Sequence, residues 1–270
     1  MEISKKIEDK LIFSYKFTFC TLVTRRDEYN EMVLSAKKAG FDDEDVEFLY
    51  FDNFQSNKFD GFSGINAALR VSNGEYLIFC HQDILFNYDK KDKLEQCLQE
   101  LEELDSKWAI AGNAGIRNDG KAIMRISDPN HNNLKRGNFP EKVISLDENF
   151  IVINRKLNVS CSYGLSGFHL YGTDLCQNAL DLGLNSYVID FHLLHKSGGN
   201  VDENFYKSRS EFIKFYENRV QTKLIWTMCT AFIVSNFKFI NSIINSDLML
   251  KKVRKILKKI NKYRNILIKK

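Results

Sequence analysis

The stretch Gly74-Glu-Tyr-Leu-Ile-Phe-Cys-His-Gln-Asp83 ends an unbroken apolar run in an imidazole, an amide and a carboxylate. Carboxylates and imidazoles ligate cations and carry protons, so their placement decides what they can do. Residues 76–80 do not alternate between apolar and polar, which suits a strand covered on both faces, as in a parallel sheet flanked by helices. Ligands of open α/β sheets bind beyond the carboxyl ends of the strands, and Asp83 stands there. Asp52, Asp174 and His195 likewise fall just beyond, or at the start of, elements that can face that edge. Singly, an Asp after a strand is also what a turn or a helix cap uses.

The elements that must position these groups can be read from the pattern. Residues 16–24 form a first strand and 28–40 a helix that stops at Gly40. Val46 to Phe51 form a second strand ending at Asp52-Asn53. A Gly/Asn/Phe-rich loop leads to a helix over about 63–71 and to the strand at 76–80. A helix over about 90–105 and a strand from Trp108 to Gly112 complete a βαβαβαβ series. That order specifies an α/β fold with a mostly parallel, doubly wound sheet. Strand-like 142–153, a helix over 173–182, a strand at 186–191 and long helical stretches after 203 follow.

In this order the motifs resemble the inverting GT-A glycosyltransferases of the family-two type. The resemblance rests on Glu75-Tyr-Leu-Ile-Phe-Cys-His-Gln-Asp83, on Gly64-Ile-Asn-Ala-Ala68, and on the strand ending in Asp52-Asn53. Downstream, Gly167-Phe-His-Leu-Tyr-Gly-Thr-Asp-Leu-Cys176 and Leu193-Leu-His-Lys-Ser-Gly-Gly199 are similar to a bacterial subgroup with His-Gln-Asp in place of Asp-x-Asp. The similarity spans about residues 16–215.

The resemblance implies a GT-A (Rossmann-like) sheet and transfer of a sugar from a nucleotide-diphosphate donor, UDP-linked by expectation, with inversion. A leaving diphosphate gains negative charge, so the resemblance implies Mn²⁺ or Mg²⁺, with Asp83 and His195 as ligands. His81 replaces the first acid of Asp-x-Asp and is expected at the ribose, at the metal, or bonded to backbone. Asp52 with Asn53 corresponds to the reader of the nucleobase. Thr21, Val23 and Arg25 are expected to line the nucleotide pocket, with Asn66 and Gln82 facing the ribose or diphosphate. Asp174 is the expected general base and His169 the alternative, because the family's usual Glu-Asp pair is replaced by Tyr171-Gly172. Asp147-Glu148 could contact either sugar, and Gly112, Asn113 and Ala114 leave room for one.

At 270 residues the chain can bury one sizeable core, and its two prolines, Pro129 and Pro140, mark no linker. The division expected is a glycosyltransferase domain at 1–220 (nucleotide half about 16–115, acceptor half about 116–220) and a helical extension at 221–270. The six cysteines form no Cys-x-x-Cys pair and fit reduced, mostly buried thiols. The first ten residues are charged and have no apolar run, so the expectation is a cytoplasmic protein without a leader.

Ten of the 39 Lys and Arg lie within residues 251–270, which hold no acid, so the preceding residues carry 29 against 35 acids. Val253, Ile256, Leu257, Ile260, Tyr263 and Leu267 recur at three- and four-residue steps among them. This is the pattern of a basic amphipathic helix, expected to dock on an anionic membrane surface rather than nucleic acid. A glycan or lipid-linked acceptor, as in bacterial surface polysaccharide synthesis, fits that location. A sugar-nucleotide nucleotidyltransferase is disfavoured because Thr24-Arg-Arg-Asp-Glu28 has no glycine for a phosphate loop. A non-catalytic scaffold that kept the fold is the third class.

Overall fold

The computed structural model describes residues 11–42, 44–199, 202–226 and 231–246, with the single residues 249, 252 and 255. The chain divides into two compact units, Met1–Arg209 and Ser210–Lys270.

The first unit runs β1 (Tyr15–Val23), α1 (Arg26–Lys38), β2 (Val46–Asp52), α2 (Gly61–Val71), β3 (Gly74–Cys80), β4 (Ile84–Leu85), α3 (Lys91–Leu104) and β5 (Trp108–Gly112). It continues with β6 (Ala114–Ile116), β7 (Ala122–Asp128), β8 (His131–Arg136), β9 (Glu141–Val143), β10 (Ser145–Leu146), β11 (Phe150–Asn154), α4 (Tyr171–Asp181), β12 (Asn185–Val188) and β13 (Leu193–His195). The helix α5 (Glu203–Glu217) runs across the division.

The fold is α/β with a mostly parallel sheet. Seven strands form that sheet in the order β2-β1-β3-β11-β5-β12-β9. Five run the same way, while β11 and β9 oppose their neighbours. The βαβ series alone would set β5 beside β3. Instead β11, Phe-Ile-Val-Ile-Asn with every residue buried, lies between them and pairs with both.

Alternation along the strands divides the core between the two faces. Phe17, Phe19, Ile78, Trp108 and Val152 pack with Met32 and Ala36 of α1 and Leu94 and Leu98 of α3. Cys20, Leu77, Phe79, Ile151 and Ile153 pack with Phe62 and Ile65 of α2 and Leu175 and Cys176 of α4. Helix α2 begins with a reciprocal cap: Asp60 accepts from the Ser63 amide (2.8 Å) and Ser63 Oγ from the Asp60 amide (3.0 Å). Helix α1 is stopped at Gly40, whose φ of +95° favours glycine.

A second sheet, in the order β10-β6-β7-β13-β4 with β8 on β7, covers the polar region after Gly115 where the sequence pattern loosens. It matters for the site because β13 pairs antiparallel with β4, His195 opposite Ile84.

In the second unit the structure differs from the helical expectation. Two short apolar strands, β14 (Lys223–Trp226) and β15 (Ala231–Val234), form a hairpin before the helix α6 (Lys238–Ile244). Runs of four residues such as Ala-Phe-Ile-Val are long enough for a strand and too short for a helix. Apart from Lys252 and Lys255, the basic tail expected at 251–270 lies outside the described residues. No helix among the described residues is long and apolar enough to cross a membrane. Cys20, Cys80, Cys97, Cys161 and Cys176 are free and buried; Cys229 lies outside the described residues.

Candidate metal centre and adjoining clefts

The parallel strands β1, β2 and β3 end on one edge, with Val23 opposite Asp52 and Cys20 opposite Phe79. Where β3 ends, the chain supplies His81 and Asp83, and β13 brings in His195 beside them. His81 Nδ1 is 3.4 Å from His195 Nε2 and 3.8 Å from Asp83 Oδ1, and His195 Nε2 is 3.4 Å from Asp83 Oδ1. The point equidistant from these three atoms lies about 2 Å from each, a metal–ligand bond length. The residues present therefore fit a divalent cation. Two imidazoles and one carboxylate suit a first-row transition ion better than Mg²⁺, which prefers oxygen.

The electrostatics follow from the same contacts. Burial alone would raise the Asp83 carboxyl, but hydrogen bonds from His195 and Ser197 and the His195 and His81 charges outweigh it and hold it well below its usual range. Burial would lower His195, but its hydrogen bond and attraction to Asp83 raise it. His81 is lowered by burial and by His195.

Beside this cluster lies a cleft of about 250 Å³ whose walls include Thr24, Arg25, Asn53, Gln82, Asp83 and Phe168. A second cleft, about 230 Å³, is lined by residues including Gly115, Met124, Ser145, Asp147, Glu148 and Thr173. Tyr171 stands between them: its ring lines the first, and its hydroxyl donates to the Glu148 carbonyl at 3.3 Å. Burial, with Asp147 alongside, pushes the Glu148 carboxyl up to about 8, although the Leu170 and Gly172 amides pull it down.

The structure brings His81, Gln82, Asp83, Arg25, Asn53 and His195 to this edge and sends other expected residues elsewhere. Thr21 and Val23 are fully buried and do not line the cleft; Leu22 and Thr24 do. The reason is strand parity, since the odd residues of β1 face α1 and α3 whereas the cleft opens on the other side. Asn66 is buried, with both ends of its amide spent on the Cys161 backbone at 2.9 and 3.0 Å. It holds a loop and does not face a ligand.

Asp52 is exposed at the strand end, where it accepts from the Phe54 amide at 3.1 Å. Asn53 organises the following loop through both atoms of its amide and Phe59. Gln82 lines the cleft but is anchored: Oε1 accepts from the Thr24 and Arg25 amides, each at 2.9 Å, and Nε2 donates to Thr24 Oγ1 at 2.9 Å. It ties the end of β3 to the end of β1.

The structure places Asp174, the expected general base, away from the walls of both clefts. Its side chain is fully buried and accepts from the Ser162 amide (2.7 Å), Ser162 Oγ (2.8 Å) and Asn178 Nδ2 (3.1 Å). A base must meet an acceptor hydroxyl, and this carboxylate faces the protein interior. His169 is half-buried with its ring edge-on to Phe205, and neither cleft is lined by it. Two roles were undervalued at the sequence level, His81 in the cluster and Glu148 on the second cleft. The signal for His81 was its spacing of two from Asp83, the spacing of Asp-x-Asp. The adjacent acids Asp147-Glu148 were visible in the sequence, but nothing there showed that Glu148 would be half-buried on the wall of a cleft.

No described family model matches the chain. A protein of Fuscovulum blasticum, described as ATP synthase subunits region ORF 6, is 39% identical over 216 residues, which are 78% of this chain and 87% of that protein. The chain belongs to the family of that ORF 6 protein. Among solved structures, this ORF 6 relative is similar to GalNAc-T7 with UDP, GalNAc and Mn²⁺, at 8% identity and a TM-score of 0.49, covering 75% of this chain and 48% of that one. It thus spans about half the length of GalNAc-T7. The mannosyltransferase PcManGT from Pyrobaculum calidifontis, in complex with GDP-Man and Mn²⁺, is 11% identical with a TM-score of 0.49, covering 76% and 65%. S. aureus TarS 1–349 in complex with UDP-GlcNAc is 13% identical with a TM-score of 0.46, covering 74% and 66%. With TM-scores below 0.5, these likenesses carry no functional argument.

Proposed function

We propose that this chain is a GT-A type glycosyltransferase that moves a sugar from a nucleoside-diphosphate donor to a hydroxyl of a glycan or lipid-linked saccharide, with inversion. The observation that carries the reading is the His81–Asp83–His195 cluster at the carboxyl edge of the parallel strands, opening on a cleft walled by the ends of β1, β2 and β3. A nucleotide entering there meets Thr24, Arg25 and Asn53, while its diphosphate lies at the cluster. A bound cation, Mn²⁺ by the donor set, would neutralise charge on the departing diphosphate.

The second cleft receives the acceptor. Its hydroxyl oxygen bonds to the anomeric carbon as the bond from that carbon to the diphosphate oxygen breaks, and Glu148 takes the hydroxyl proton. A base with a pKa near the working pH serves this step best, and burial moves Glu148 into that range. Glu148 therefore replaces Asp174 in our assignment, with His169 as the next choice.

The basic tail supports a location at the cytoplasmic face of an anionic membrane, at about 1 kcal/mol per basic residue near the surface. Removing residues 251–270 is expected to release the protein from phosphatidylserine-containing liposomes in a sedimentation assay. Unchanged sedimentation would refute docking through the tail.

The donor reading is tested by thermal shift and calorimetry of the full chain with UDP, GDP, TDP and CMP, each with and without Mn²⁺ or Mg²⁺. Stabilisation by one nucleoside diphosphate that requires Mn²⁺ is expected. A flat response across the panel would overturn the reading and favour the scaffold class.

A further inference from the structure

We propose that Tyr171 sets the ring tautomer of His81 and thereby decides which nitrogen of that ring faces the Asp83–His195 cluster. The argument is an inventory of protons. The Glu148 carbonyl can only accept, so the single proton of the Tyr171 hydroxyl is spent on it at 3.3 Å. The phenol oxygen then acts as acceptor, and the donor that reaches it is His81 Nε2 at 3.1 Å. Nε2 must therefore carry the hydrogen. In the neutral ring this leaves Nδ1 as the lone pair, on the side that faces His195 Nε2 at 3.4 Å and Asp83 Oδ1 at 3.8 Å. The opposite tautomer would put a hydrogen in the middle of the cluster and set two lone pairs against each other at Nε2.

The surroundings of Tyr171 are built to fix its hydroxyl. A Cβ on Gly61 would overlap the Tyr171 ring, so the ring occupies space that only glycine leaves open. Phe62 and Phe79 meet it edge-on at 6.2 and 6.0 Å. The backbone enters α4 through Leu170 at φ +70°, a left-handed conformation held by the Asp174 amide on the Leu170 carbonyl at 2.8 Å. Gly172 lies where a Cβ would come within 2.5 Å of the Leu146 carbonyl. The Asp174 carboxylate, spent on Ser162 and Asn178, pins the same first turn. The segment Tyr171-Gly-Thr-Asp174 is thus a mount for Tyr171, which acts through His81 as a positioning residue.

Part of the consequence rests on the metal reading above. If the cluster binds a cation, the partner that orients a ligating imidazole is worth about 10- to 100-fold in affinity.

The test is long-range ¹H–¹⁵N NMR of the histidine rings in uniformly labelled, metal-free protein above pH 8, paired with Mn²⁺ titration by calorimetry. The chain has five histidines, and exposed His131 serves as an internal control. Wild type is expected to show His81 protonated at Nε2. Tyr171→Phe, which keeps the ring and removes only the hydroxyl, should shift His81 to a mixture of tautomers and weaken Mn²⁺ binding by about 10- to 100-fold. A wild-type ring protonated at Nδ1 would overturn the proposal. So would a Tyr171→Phe protein with the same tautomer and a Mn²⁺ affinity within about twofold. Wild type with His81 protonated at Nε2 that binds no Mn²⁺ would confirm the tautomer assignment and overturn the metal reading instead.

Discussion

Asp83→Asn is expected to abolish Mn²⁺-dependent stabilisation by nucleoside diphosphate and to lower sugar transfer by about 10²–10³-fold, the scale of losing one preorganised electrostatic contact. Asp83 is the single carboxylate of the cluster; its two companions are imidazoles that bring no negative charge in their ligating form. Asparagine keeps the size and one oxygen but cancels the charge that offsets a dication against a diphosphate. The variant should fold. Asp83 is held below its unfolded value by His195 and Ser197, so its ionised form contributes stability above the usual carboxylate range, which fades as pH falls through the depressed value. Asparagine can still accept from both partners, so a small decrease in Tm near neutral pH is expected, with a weaker response to acid. Calorimetry with Mn²⁺ and nucleotide, alongside steady-state transfer, separates the two effects. Wild-type turnover in Asp83→Asn would remove this residue from the mechanism.

What the sequence made legible follows from which physical signal was local. The strand at 76–80 and its terminal His-Gln-Asp were readable because so short an unbroken apolar run suits a strand buried on both faces better than a helix, and its end falls at the ligand-binding edge. Asp60 and Ser63 show how a local cap fixes where α2 begins. Side-chain direction at the site was not readable to the same degree. Thr21 and Val23 were expected at the nucleotide, but the polar–apolar alternation of Lys16-Phe17-Thr18-Phe19 breaks at Cys20, so the pattern does not fix parity at the end of the strand. Leu22 and Thr24 line the cleft instead.

The placement of β11 between β3 and β5 depends on pairings some 75 residues apart, such as Ile151 with Phe79, which no periodicity records. Asp174 misled for a physical reason: an acid in the first turn of a helix looks alike whether it faces a substrate or anchors a neighbouring loop. Its partner Ser162 is 12 residues away in a segment without regular structure. Asn66, held to Cys161 across 95 residues, misled in the same way.

Glu148→Gln is expected to reduce transfer by about 10²–10⁴-fold while leaving Mn²⁺ and nucleotide binding within about twofold of wild type. The residue lines the second cleft, so its loss should spare donor binding at the first. Two pH signatures distinguish a base from a structural acid. The wild-type rate should rise with pH and level off above about 8, where Glu148 is ionised, and this limb should vanish in the variant. Stability should move the other way. The folded pKa of about 8 lies above the 4.5 ordinary for a glutamate, so the unfolded chain gives up its proton first. Stability then falls as pH rises from about 4.5 toward 8, by up to a few kcal/mol, and stays reduced above that. Glutamine removes the ionisation and the penalty together, so the variant should have the higher Tm at pH 8–9 and lower activity at every pH. Thermal melts across pH 5–9 and pH–rate profiles read both. An active Glu148→Gln enzyme with the wild-type alkaline limb would move the proton acceptor to another group, His169 first. A lost rate without the reversed stability would place the effect of Glu148 in shaping the cleft.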